Sequence, residues 1–328
     1  MFFNKKYDVG KILNINNTKC IKTTCKRRNI NQGGLSLSGD LHCHTRLSNG
    51  SMGIEEIIAL AKSKGIEKIA ITDQDTIAGI ERAKIVGERN GITVIAGVEL
   101  SAFDEESGKC VHILCYLPEQ PTRLEGLCKH NSLVRGRATT MMCLKLAKKY
   151  PVSPELIKRC ATGATALFTQ HFMHALMEVG AADSFYGDVY EELFSAESES
   201  NILVQPKFKS VEEVIEAIHI ANGIAVLAHP LTYGDMDEAE ALIERFMKAG
   251  LDGIEVWHPS ADESESEELF RFAKKNKLLS TGGSSFRGLY NKKLLSVGDF
   301  VTPEQQMKEL MSFKAKQQRL LKKQMAEN

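Results

Sequence analysis

The sequence predicts an α/β protein with a parallel sheet, interrupted by an all-helical segment. Three observations carry this. Short apolar runs alternate with segments of helical spacing. The helical segments stop on glycines. Between about residues 124 and 201 the short apolar runs disappear and only helical patterns remain.

Taken in order, "GLSLSGDL" alternates small and apolar residues and reads as a strand leading into "DLHCHTRLSNG". "MGIEEIIALAKSKG" has helical apolar spacing, "IEKIAITD" reads as a buried strand, and "TIAGIERAKIVGERNG" as a helix stopped by Gly91. "ITVIAGVEL" and "KCVHILCYL" are two further strands. Then come "LCKHNSLVRGRATTMMCLKLAKKY", "SPELIKRCA", "TQHFMHALMEVG" and "DVYEELFSA", all helical. The alternation resumes with "SVEEVIEAIHIANG", "IAVLAHP", "DEAEALIERFMKAG", "LDGIEVWHP", "SEELFRFAKKNK" and "LLSTGGSS". A basic amphipathic helix follows "TPEQ", with fraying expected at "KKQMAEN". The expected organisation is a basic extension over 1–36, barrel segments over 37–123 and 206–300, a helical insertion over 124–205, and a terminal helix over 301–328.

Bulk composition narrows the function classes. Lys+Arg and Asp+Glu both number 42, so the formal net charge is zero. That balance counts against a long nucleic acid as partner and leaves a small phosphorylated substrate open. No run of about 18 apolar residues exists, so no membrane-spanning helix is expected. The leader lacks the apolar core of a signal peptide. Eight scattered cysteines form no CxxC pair, which excludes a disulfide scaffold or zinc ribbon and suits reduced thiols in a cytoplasm.

Chemistry gathers where the strands end. On a strand, residues two apart share a face, so His42 and His44 project side by side with Cys43 turned away. Two neutral imidazoles on one face make half a metal site; the alternative is a hydrogen-bonded surface pair. Asp73, Glu99, His229, His258 and Ser285 also fall at strand ends, and His112 lies within its strand. In a closed (β/α) barrel that end is the active-site face.

The stretches "GDLHCHTRLSNGS", "AITDQDTIAG", "VIAGVELSA", "VHILCYL", "GIAVLAHP", "GIEVWHPS" and "GGSSFRG" resemble the PHP (polymerase and histidinol phosphatase) family, in its branch with a helical insertion. The resemblance implies a distorted (β/α)7 barrel that holds up to three divalent ions, commonly manganese, zinc or iron, and hydrolyses phosphate esters. Similar proteins with this insertion act on nucleoside 3′,5′-bisphosphates, cyclic sugar phosphates or the 5′ ends of short oligonucleotides. By the same resemblance, His42, His44 and Glu99 match ligands of a first metal, whose fourth position is Ser285 here. Glu99, His112 and His229 match the second metal. Asn49, Gln74 and Arg287 stand where the third metal's ligands belong, and none is a good ligand.

Ser285 departs at the first metal; the other three departures, Asn49, Gln74 and Arg287, fall together on the third, and one of them is a permanent cation. The expectation is a two-metal enzyme in which Arg287 replaces the third charge and grips phosphate. The alternative is an inactive relative that binds a phosphorylated ligand, with Arg287 as an obstruction. On the insertion, Arg135, Arg137 and His171 are candidate phosphate contacts; a solvated helix face is the other reading of the two arginines. His258 is a candidate proton donor or phosphate holder. Asp40 and Asp73 are expected to orient imidazoles, with Asp73 counted in the catalytic set.

Overall fold

The computed structural model describes residues 38–327, with side chains as far as 315. The basic leader, with Cys20 and Cys25, lies outside the described residues.

Seven strands form one sheet in chain order: β1 (Gly39–Cys43), β2 (Lys68–Ile71), β3 (Thr93–Asp104), β4 (Lys109–Tyr116), β5 (Ile224–Leu227), β6 (Gly253–Trp257) and β7 (Leu279–Gly282). The sheet curls until its edges nearly meet. Cys43 bridges Phe286 in parallel, and the His44 N–H donates to the Phe286 carbonyl at 2.8 Å. Gly283 sits at this seam. A Cβ there would fall 2.4 Å from the His42 nitrogen, so only glycine lets the edges approach.

Helices α1 (Ile54–Ser63) and α2 (Ile80–Asn90) cross between the first strands, and α8 (Met236–Lys248) and α9 (Glu263–Lys275) between the last. Gly91 ends α2 in the left-handed conformation, as its position predicts. These crossovers make β1–β2–β3 and β5–β6–β7 parallel. β4 departs from the expected parallel pattern, pairing antiparallel with both neighbours. Only residues 105–108 join it to β3, and a parallel return needs a crossover of a dozen residues or more.

Between β4 and β5 lie α3 (Glu125–Ala147), α4 (Pro154–Cys160), α5 (Thr169–Glu178), α6 (Asp188–Phe194) and α7 (Val211–Ile220). The segment has its own apolar core, centred on Leu146, Ile157, Phe172, Leu176 and Leu193. Val98, Leu100, Val111 and Ile113 pack outward against α7, in an apolar core that continues to α8 and α9. Their neighbours Glu99 and His112 therefore face the barrel interior, because alternate residues face opposite sides. The last helix, α10 (Glu304–Glu327), continues into the stretch expected to fray as far as the described residues reach, and its Met307 and Leu310 are buried with Leu41, Ala70 and Leu114. Among the described residues no helix is long and apolar enough to cross a membrane.

Candidate metal centre at the barrel mouth

His42 lies near the end of β1 and His44 just beyond it, with ring centres 4.9 Å apart and both side chains buried. Cys43 points the other way and packs with Ile54, Ile57 and Ile71. Glu99 on β3 lies between two imidazole pairs. Its Oε1 is 3.4 Å from His42 Nε2, 3.2 Å from His112 Nδ1 and 3.3 Å from His229 Nε2; its Oε2 is 3.7 Å from His44 Nε2. Ligand atoms of His42, His44 and Glu99 lie within 4.8 Å of one another, and so do those of Glu99, His112 and His229. Burial would raise the Glu99 pKa, but His112, His229 and His42 outweigh it and hold the carboxyl well below its usual range.

The donors fit divalent cations. Among the described residues, nine buried side-chain nitrogen or oxygen atoms lack a hydrogen-bond partner, and six belong to His42, His44, Glu99, His258, Ser285 and Arg287 at the barrel mouth. Leaving such atoms unmatched costs about 1–3 kcal/mol each, so their concentration in one place marks a site built for a ligand. Imidazole and carboxylate donors are those that zinc, manganese and iron accept.

Glu255, in the apolar strand "GIEVW", is a site residue that sequence reasoning missed; a glutamate inside such a strand was the available signal. Its Oε1 accepts from His42 Nδ1 at 2.9 Å and its Oε2 from the His229 backbone N–H at 2.9 Å. This holds His42 with Nε2 turned to the centre. Burial would lower the His42 pKa, but the Glu255 and Glu99 carboxylates raise it above the ordinary imidazole range. Asp40 and Asp73, expected to orient imidazoles, do other work. Asp40 accepts from the Ser284 hydroxyl at 2.6 Å and backbone at 3.0 Å, and from Gly298 at 2.9 Å, which ties the barrel seam. Asp73 accepts from the Thr45 backbone and hydroxyl and from Ser48, at 2.6–2.7 Å, which holds the loop after β1.

His258 forms a further buried group with His42 and Glu255. Ser260 N–H donates to its Nδ1 at 3.1 Å, which leaves the imidazole proton on the unpartnered Nε2. Burial, with His229, His42 and Arg287 nearby, pushes its pKa down to about 3 despite Glu255. The unpartnered Nε2–H is a hydrogen-bond donor open to a ligand.

The departed positions are close together. Asn49 donates to Gln74 Oε1 at 3.0 Å. Ser101 Oγ donates to Asp75 at 2.7 Å, and therefore accepts from Gln74 Nε2 at 3.1 Å. That turns the Gln74 amide nitrogen onto His112 Nε2, 2.8 Å away. A donor there places the His112 proton on Nδ1, so ligation through Nδ1 requires the amide to turn over. Arg287 brings Nη2 within 3.4 Å of His44 Nε2 and donates from Nη1 to the Ser285 carbonyl at 3.4 Å. Burial first, and then this guanidinium, hold the His44 pKa well below its usual range. Asp75, His229 and Ser285 all have positive φ (55°, 34° and 47°), backbone strain that gathers at these strand ends.

A cavity of about 350 Å³ joins the mouth to the insertion, lined among others by Asn49, Gln74, His112, Arg135, Phe168 and Arg287. Arg135 donates to Asp75 at 2.6 Å and Ser101 at 2.8 Å, between the rings of Phe168 and Phe208. Arg137 is exposed and absent from the lining. His171 is buried, accepts from the Phe168 N–H at 3.1 Å, and is pushed down to about 4 by burial and His174.

A family model described as the PHP domain matches residues 40–257. The chain is 31% identical over 256 residues to a phosphoribosyl 1,2-cyclic phosphate 1,2-diphosphodiesterase of Eggerthella lenta, covering 77% of this chain and 95% of that one. It is 29% identical over 263 residues to a 3′,5′-nucleoside bisphosphate phosphatase of Chromobacterium violaceum, covering 75% and 86%. A crystal structure from Bifidobacterium adolescentis, assigned as a metal-dependent phosphoesterase, superposes with a TM-score of 0.74 at 27% identity, covering 83% and 95%.

Proposed function

The chain belongs to the PHP-domain family and is a phosphoric ester hydrolase; from that premise we propose that it cleaves a small phosphorylated substrate with two divalent cations, Arg287 taking the place of a third. The observation that carries the proposal is the set of unpartnered buried donors around Glu99, with a guanidinium beside them.

His42, His44 and Glu99 hold one cation in this reading, and Glu99, His112 and His229 the other. Bound there, divalent ions polarise phosphoryl oxygens and acidify the attacking water. The chain's own groups do the rest. Glu255 keeps His42 aimed at the centre. His258 presents an N–H to a phosphoryl oxygen, and Arg287 offers a planar fork to the charge that develops in the transition state. Arg135, seated between two aromatic rings, lines the far side of the cavity. A cavity near 350 Å³ suits a nucleoside bisphosphate, a cyclic sugar phosphate or one nucleotide end, and is too small to enclose a duplex.

One observation favours a second reading. Gln74 on His112 Nε2 opposes ligation by Nδ1, as in a protein that keeps the pocket for a phosphorylated ligand without turnover. Assaying the metal-replete chain on a nucleoside 3′,5′-bisphosphate, a cyclic ribose phosphate and a 5′-phosphorylated oligoribonucleotide separates the two. The expected result is phosphate-ester cleavage that needs added divalent metal. Binding of all three without cleavage overturns the enzymatic reading.

A further inference from the structure

We propose that Cys160, His174 and Glu178 form a second, separate site for a divalent cation of the zinc class, on the helical insertion. Cys160 is the last residue of α4, and His174 and Glu178 are one turn apart on the same face of α5. Glu178 Oε1 is 3.6 Å from Cys160 Sγ and 3.9 Å from His174 Nε2, and all three ligand atoms lie within 4.8 Å of one another. With zinc–ligand bonds of about 2.0–2.3 Å, tetrahedral ligand atoms sit roughly 3.2–3.7 Å apart, so closure needs shifts of about 1 Å in partly exposed side chains.

The outer atoms of these side chains are already held. His174 Nδ1 is 2.9 Å from the Tyr290 hydroxyl, which leaves Nε2 for the site. Glu178 Oε2 accepts from Arg159 at 2.7 Å, which leaves Oε1. A ligating imidazole or carboxylate with its far atom so anchored is the usual arrangement around a bound metal. Partial exposure gives an entry path and room for a water ligand. The thiol sets the metal class, because sulfur favours zinc or cobalt over magnesium or calcium. Tyr290 also belongs to the turn that follows Arg287, so an ion here braces that turn from outside the barrel.

Sulfur makes the site distinguishable from the barrel centre, whose proposed ligands include no cysteine. Metal-free full-length protein is titrated with Co²⁺ and followed in the near ultraviolet. A thiolate-to-cobalt charge-transfer absorption is expected in the native chain and absent in Cys160→Ser, with cobalt affinity at this site at least tenfold weaker in Glu178→Gln. Zinc-loaded native protein should carry one ion more per chain than Cys160→Ser. No such absorption in the native chain, its persistence in Cys160→Ser, or unchanged affinity in Glu178→Gln overturns the proposal.

Discussion

Glu99 meets three imidazoles through one oxygen and a fourth through the other, and it is the one carboxylate shared by both proposed ligand sets. Glu99→Gln keeps the volume and removes the charge. It should leave the barrel folded, strip both cations and cut turnover by about a thousand-fold or more, since cation stabilisation is worth several kcal/mol; elemental analysis beside a rate assay checks this. Glu255 makes a different prediction. Its pKa is depressed, chiefly by His42 against the cost of burial, so its contribution to stability is present above the ordinary carboxylate value of 4.5 and lost as pH falls below it. The His42 pKa is raised, so its contribution is complete below 6.5 and lost as pH climbs through the raised value. The pair therefore stabilises metal-free protein most between those two values. Glu255→Gln should cost about 3 kcal/mol there and progressively less at more acidic or alkaline pH. Denaturant melts of chelated protein across pH test this, and a gap independent of pH would contradict it. The sequence showed Glu255 only as a glutamate inside an apolar strand; its burial and its hydrogen bond to His42 arise only when the curled sheet brings the β6 side chain to the end of β1.

Within one helix, α3 separates two arginines that the sequence left equivalent. Arg135 faces inward against Asp75 and two phenylalanines, and Arg137 faces solvent. Arg135→Ala should destabilise the fold by about 3–5 kcal/mol, by leaving the Asp75 carboxylate buried without its cation. It should also raise KM for a bisphosphate about tenfold. Arg137→Ala should change both by less than about twofold in KM and 0.5 kcal/mol in stability. Parallel melts and kinetics decide, and equal effects would remove Arg135 from the cavity wall. The elements themselves were legible in glycine-stopped helical periods and short apolar runs. The direction of β4 was not, because alternation along a strand carries no sense of polarity; the four residues before it held that information.

Across the whole molecule, the barrel brings residues from β1 to the loop after β7 onto one face, and the sequence predicted most of that set from its strand ends. It could not predict how the departed positions interact. Asn49 and Gln74 bond to each other, while Arg287 turns toward His44. If Arg287 serves as the third charge, Arg287→Ala should lower kcat/KM by roughly ten- to a hundred-fold, the worth of a charge-assisted contact of about 1.5–3 kcal/mol; a faster variant would mark it as an obstruction. The barrel's cations can be counted most directly by elemental analysis of metal-replete Cys160→Ser protein, which lacks the sulfur site on the insertion. Two divalent ions per chain are predicted, and three would contradict the replacement of a metal by Arg287.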